Sequence, residues 1–73
     1  MDTTVQPTLS VNGDVRTFDA SLAAVLAHFG VDVAAARGVA VAVNDEIVRK
    51  KDWQSHVLQP DDRVEIVTAR QGG

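Results

Sequence analysis

From Thr8 to Phe18 apolar and polar positions alternate: Leu9 and Val11 lead into Asn12-Gly13, and Val15 and Phe18 follow. A two-residue period predicts paired strands, and Asn-Gly accepts the positive φ angles of tight hairpin turns. Pro7 stands where a strand can begin. The period then changes, because Leu22, Val25, Leu26 and Phe29 hold the i, i+3, i+4 and i+7 positions of one helical face. Ser21 before them and Gly30 after them are a start and a stop, so a helix is predicted over residues 21–29. Ala24 stands where a capping box would place a glutamate, so only half of that motif is expected. His28 in the last turn is expected to lie at the surface and complement the helix dipole.

Beyond a small-residue connection through Ala34, Ala35, Ala36 and Gly38, the run Val39 to Val43 (VAVAV) predicts a strand. Val39, Val41 and Val43 point one way, into a core, and Ala40 and Ala42 form a shallow apolar face on the other side. Asn44-Asp45-Glu46 turns into a short Ile47-Val48 strand, and Lys51 to Gln54 reads as a helical turn with Trp53 packed on the sheet. Gln59-Pro60-Asp61-Asp62 makes a turn, and Arg63 to Thr68 (RVEIVT) sets Val64, Ile66 and Thr68 against Arg63, Glu65 and Val67 in a last strand. The order predicts a mixed sheet of four to five strands crossed by one main helix. The helical crossover lets the first and last strands run parallel at the sheet centre, which is the β-grasp (ubiquitin-like) arrangement, an α+β fold. One domain is expected over residues 1–73, with residues 1–6 as an N-terminal extension and residues 69–73 as a flexible C-terminal tail.

Composition narrows the function. With 73 residues and no cysteine, the core must hold the domain alone, and a stability of roughly 4 to 11 kcal/mol is expected at this length. A chain this short buries only about 60% of its unfolded surface, which supports a fold and not a deep cleft. Residues 1–6 carry no basic, apolar leader, and the apolar run Leu22 to Ala27 is too short to span a bilayer, so a reducing cytoplasmic location away from membranes is expected. Asp and Glu number 10 against 7 Lys and Arg, with one Trp and two Phe, a balance that speaks against nucleic acid as a partner. Arg49, Lys50 and Lys51 are the one basic cluster, readable as a solvated turn or as a docking point for an acidic partner surface.

No intrinsic catalytic residue, metal site or bound cofactor is expected. Ser21, Ser55, His28 and His56 fall in no nucleophile motif, the histidines lack ligand spacing, and Gly13, Gly30 and Gly38 punctuate separate turns without cradling a phosphate. Asp61 and Asp62 read as turn formers. The informative feature is the end, Ala69-Arg70-Gln71-Gly72-Gly73. Glycine has no Cβ, so a five-residue tail reaching roughly 17 Å can thread a narrow channel in another protein. At its tip the Gly73 carboxylate is a poor electrophile, which activation as an acyl adenylate with AMP from ATP would correct.

Val11-Asn12-Gly13, the helix with Leu22, Leu26 and Phe29, the block VAVNDEIVRKKDW from Val41 to Trp53, PDDRVEIV from Pro60 to Val67 and the terminal Gly72-Gly73 together resemble the ThiS family, the sulfur carrier proteins of thiamin biosynthesis. The resemblance implies a carrier, not an enzyme. An E1-like adenylyltransferase would adenylate Gly73, a cysteine desulfurase or rhodanese-type donor would supply sulfur to make a thiocarboxylate, and thiazole synthase would take that sulfur. Gly72, Gln71 and Arg70 would give the tail its access, and strand alternation nominates Ala40, Ala42 and Ile66 as an apolar face docking the activating enzyme. Arg70 departs from the small or aliphatic residue expected there, and with Gly73 last no protease is expected to be needed. Strand, helix and diglycine alone also fit the small subunit of molybdopterin synthase, a ubiquitin-like modifier or a noncovalent β-grasp module.

Overall fold

The computed structural model describes residues 6–34 and 37–68. The leading residues of the expected extension, Ala35 and Ala36 of the connection, and the whole 69–73 tail lie outside the described residues.

Five strands and one helix follow in the expected order. Strands β1 (Thr8–Val11) and β2 (Asp14–Thr17) form the first hairpin, with Asn12 at φ 52° and Gly13 at φ 87°, the left-handed conformations its two-residue turn requires. Helix α1 (Leu22–His28) begins at Ser21, whose hydroxyl accepts a 3.1 Å hydrogen bond from the Ala24 amide. With alanine at that position, half a capping box is what forms. The helix ends in a Schellman turn around Gly30 at φ 82°, where Gly30 N–H donates to the Ala27 carbonyl and Val31 N–H to the Leu26 carbonyl. Val31 and Leu26, thereby brought together, are both buried.

Strands β3 (Val39–Val43), β4 (Glu46–Val48) and β5 (Arg63–Thr68) complete one sheet in the order β2-β1-β5-β3-β4. Strand β5 is parallel to β1 and antiparallel to β3, so the last strand occupies the sheet centre as predicted. Between β4 and β5, a 3₁₀ turn at Lys50–Asp52 leads into Trp53, and the turn at Pro60-Asp61 is closed by the Asp62 amide on the Gln59 carbonyl. Leu58 N–H donates to the Ala20 carbonyl at 2.7 Å, which ties this long connection to the start of α1.

One face of the sheet packs on α1. Leu9, Val11, Val41, Val43 and Val64 from the strands meet Leu22, Val25 and Leu26 from the helix, and Val31, Trp53 and Leu58 close the sides. Val31 and Leu58 lie in irregular segments, where no periodicity marks a core position. Among the described residues no polar or charged residue is buried. Trp53 is the largest buried side chain, 1% exposed, and its indole N–H donates to the Val48 carbonyl at 2.8 Å. Replacing Trp53 by Phe leaves that carbonyl without its partner and is expected to cost about 1–3 kcal/mol. Replacing it by Ala is expected to cost about 3–5 kcal/mol, a large share of the domain's stability. Urea denaturation followed by circular dichroism measures both, and an unchanged midpoint in Trp53→Ala would contradict its place in the core.

Candidate functional site

Strand β5 carries the chain toward the tail, and the structure grips it on both edges. Against β3 it forms five residue pairs, from Val43↔Val64 to Val39↔Thr68. Against β1 it forms only Ser10↔Arg63 and Val11↔Val64, because β1 then turns away into its hairpin. At that point the Asn12 side chain takes over the ladder. Its Oδ1 accepts from the Ile66 amide at 2.8 Å and its Nδ2 donates to the Ile66 carbonyl at 3.2 Å, while the Asn12 main-chain N–H donates to the Val64 carbonyl. The amide thus imitates one more residue of parallel strand.

Asn44 does the same work at the other end of β5. It sits at φ 51° in the β3–β4 turn, its Oδ1 accepts from the Arg63 amide and its Nδ2 donates to Asp62 Oδ1, both at 2.9 Å. Asp62 Oδ2 in turn accepts from the Gln59 amide at 2.8 Å and holds the turn that starts the strand. Two left-handed asparagines, one in each hairpin turn, therefore fix the register of β5 against both neighbours. Both residues are turn formers by sequence. Their partners lie 54, 18 and 19 residues away, so the second role becomes visible only once the topology is known.

The face of the sheet away from α1 is open and carries exposed apolar residues beside Arg63 and Glu65 of the central strand. Opposed residues of an antiparallel pair share a face, so Ala40↔Val67 and Ala42↔Ile47 all lie on this side, joined by Val15 of β2. Val15, Ile47 and Val67 are 72%, 71% and 62% exposed. The same rule separates the three predicted docking residues. Ala40 and Ala42 lie together, whereas Ile66 is opposite buried Val41 and packs half-buried against the core, on the helix side. Val64 and Ile66 belong to the alternation of β5 that points inward, and on the open face Val67 stands opposite Ala40 and Glu65 opposite Ala42.

The Ser21 hydroxyl caps α1, and the Ser55 hydroxyl donates to the Asp52 main-chain carbonyl at 3.3 Å. His28 is exposed at the end of α1, edge-on to Phe29 with ring centroids 6.1 Å apart, and no group of described His, Asp or Glu side chains is arranged to hold a metal. A groove of about 340 Å³ between α1 and β2 is lined by Arg16, Phe18, His28 and Phe29 among others, with the Arg16 guanidinium 5.0 Å from the Phe29 ring centroid. What the arrangement offers is a rigid central strand leading to a terminal segment. The predicted carrier residue Gly73 and the access residues Gly72, Gln71 and Arg70 lie outside the described residues.

Glycine at position 12 keeps the left-handed backbone and deletes the amide. Asn12→Gly is expected to lower stability by about 1–3 kcal/mol, for two lost hydrogen bonds, and to speed hydrogen exchange at the Ile66 amide far more than within α1. Unchanged exchange at Ile66 would show that the main-chain ladder with β3 holds this segment without Asn12.

The comparisons with known proteins agree with this geometry. The model of the ThiS family matches residues 9–73. A search of curated proteins finds no match. Among solved structures, the chain is similar to the crystal structure of a thiamine biosynthesis protein (ThiS) from Geobacter metallireducens, with 27% identity and a TM-score of 0.70 over 90% of this chain and 99% of that one. It is likewise similar to the NMR solution structure of a thiamine biosynthesis protein from the same organism, with 26% identity and a TM-score of 0.68 over 90% of this chain and 87% of that one. Since the family match runs from Leu9 in β1, through both asparagine turns and the central strand, to Gly73, the chain belongs to the ThiS family.

Proposed function

We propose that this member of the ThiS family is a sulfur carrier in thiamine biosynthesis, a co-substrate without an active site of its own, whose Gly73 carboxylate is the carrier group. The observation that carries the reading is the family match extending through residue 73, together with the central position of the strand that leads to the tail. In the first step a Gly73 carboxylate oxygen attacks the α-phosphorus of ATP on an E1-like adenylyltransferase, and pyrophosphate leaves. In the second the outer sulfur of a persulfide on a cysteine desulfurase or rhodanese-type donor attacks the acyl carbon, AMP leaves with the oxygen, and a thiol cleaves the resulting acyl disulfide, releasing the thiocarboxylate and leaving a disulfide. The resulting thiocarboxylate gives its sulfur to thiazole synthase. ATP and the electrostatic stabilisation of both steps belong to the activating enzyme, and this chain supplies the handle and the leash.

Gly72 gives the tail the narrow cross-section a channel demands, with Gln71 and Arg70 spanning the distance back to the sheet. Ala40 and Ala42, with Val67 beside them in place of Ile66, form the face that docks the activating enzyme. No helix among the described residues is long and apolar enough to cross a membrane, which accords with a place in the cytoplasm beside ATP and the sulfur donors.

The absence of cysteine makes the chemistry easy to read. After incubation with the adenylyltransferase, ATP and a sulfur donor, a thiol-alkylating reagent is expected to add once, on the tryptic peptide Gln71-Gly72-Gly73. Intact mass alone is ambiguous, because oxidation of Met1 adds nearly what exchange of oxygen for sulfur adds. Deleting Gly73 is expected to abolish the labelling and leave the urea midpoint unchanged. A Gly73-deleted chain that still restores growth without thiamine to a knockout strain would overturn the reading, and a knockout defective only in molybdoenzymes would move it to the molybdopterin pathway. Ala42→Asp is expected to lower kcat/KM for adenylation at least about tenfold by placing a charge in an apolar contact, with folding retained. Unchanged adenylation would remove Ala42 from the docking face.

A further inference from the structure

The described charges are sorted along the sheet. At the end where β5 finishes, Arg37 precedes β3 by two residues, and Arg49, Lys50 and Lys51 follow directly on β4; all four are exposed. Register puts Arg49 beside the end of β5. Val48 is opposite Val41, only two residues from the Val39↔Thr68 pair that ends the sheet, and Arg49 continues extended toward that end at φ −69° and ψ 147°. Arg49 therefore stands about 10 Å to the side of β5, two strand spacings, at the level where β5 ends. Asp52 is the one acidic residue of this turn, and it pairs with Lys51 at 3.9 Å across an exposed surface, where such a pair cancels little.

The opposite end of the sheet has the opposite sign. Asp45 in the β3–β4 turn, Glu46 at the start of β4, and Asp61 and Asp62 before β5 lie with two cations, Arg63, which bridges to Asp45 at 3.2 Å, and Arg16, which pairs with Leu9 at the same level and lies 3.9 Å from Asp14. A chain of net charge −3 thus carries its positive pole where its tail leaves. In sequence a further cation, Arg70, follows two residues past Thr68.

We infer that this basic rim, Arg37, Arg49 and Lys51 at its centre, is a docking surface for an acidic protein surface, the ring of Asp and Glu side chains around the channel that receives the tail on the activating enzyme. The inference rests on the reading of the tail as the reactive end. A positive pole at the tail and a negative one at the far end give the domain a torque in the field of an acidic entrance, so encounters begin tail first and the reverse orientation is repelled. The apolar face supplies contact once the complex has formed. The rim would set how often and in which orientation it begins to form. It also accounts for a cationic Arg70 where a small or aliphatic residue is expected, since an acidic channel mouth admits a guanidinium.

The test is the association rate of the full chain with the adenylyltransferase of the same organism, measured at about 0.05 M and about 0.3 M salt, between which the screening length falls from about 14 Å to about 6 Å. The double reversal Arg49→Glu with Lys51→Glu is expected to slow association about tenfold or more at low salt, with the difference collapsing at high salt. The neutral pair Arg49→Gln with Lys51→Gln is expected to fall between, and circular dichroism with a urea titration establishes that each variant is folded. Reversal of the far pole, Asp45→Lys with Asp61→Lys, separates position from net charge, and is expected to change the rate less than about twofold. Equal rates for the parent and the folded rim variants at low salt, or faster association of the reversed rim, would overturn the inference. So would a far-pole reversal that accelerates association as much as the rim reversal slows it, since net charge alone would then be the cause. Failure of the functional reading looks different: the parent chain itself would give no ATP–pyrophosphate exchange with an enzyme proven competent on its own carrier, and the rim would lose its assigned partner with it.

Discussion

Everything in this domain depends on holding a terminal strand in the middle of a sheet. A central strand needs two neighbours, and β5 is the last strand among the described residues. Strand β5 solves this with main-chain pairs to β3 along its length and to β1 at its start. Where β1 turns away, the Asn12 amide supplies the missing partner at Ile66, and where β5 begins, Asn44 supplies one at Arg63. A left-handed turn residue is a costly conformation for most side chains, and asparagine is among the few that accept it. Both turns thus place at the first position a residue whose side chain is also able to mimic a peptide group. One residue type meets the turn's conformational demand and the strand's hydrogen-bond demand together.

The same economy governs the core. One helix covers one face of the sheet, and 11 buried apolar residues make a single cluster with no disulfide to help it. Among the described residues nothing covers the other face, which leaves Val15, Ile47 and Val67 exposed beside Ala40 and Ala42.

How far the sequence discloses this differs by kind of information. Local signals are faithful: the Asn-Gly hairpin, the helix with its serine cap and glycine stop, and the inward valines of Val39 to Val43 depend on neighbours a few residues apart, and the structure contains all of them. The parallel pairing of β1 with β5 was also legible, because a helical crossover between strands admits few topologies. Ile66 shows where alternation falls short. Period two sorts β5 into two sets correctly, yet which set faces the helix depends on the register with β3, and Val41↔Ile66 puts Ile66 on the core side and Val67 with the alanines. Leu58 and Val31 escape because irregular backbone carries no period, and the asparagine contacts escape because nothing local announces a partner 54 residues away.

The division of labour between fold and tail follows from these constraints. On the proposed reading, the chemistry at Gly73 takes place in a site that another protein builds and shields from water. Such a protein has to find one short segment on a small domain. Three features of the sheet make that segment findable: a rigid strand that fixes where it starts, an apolar face that runs up to it through Ala40 and Val67, and a charge polarity that is positive at the same end. Each arises from a different part of the sequence, the asparagine turns, the VAVAV strand and the segment from Arg49 to Lys51, and β-grasp topology brings them to one edge. The carrier's specificity would then reside in the sheet around the base of the tail, and its reactivity in the last residue alone.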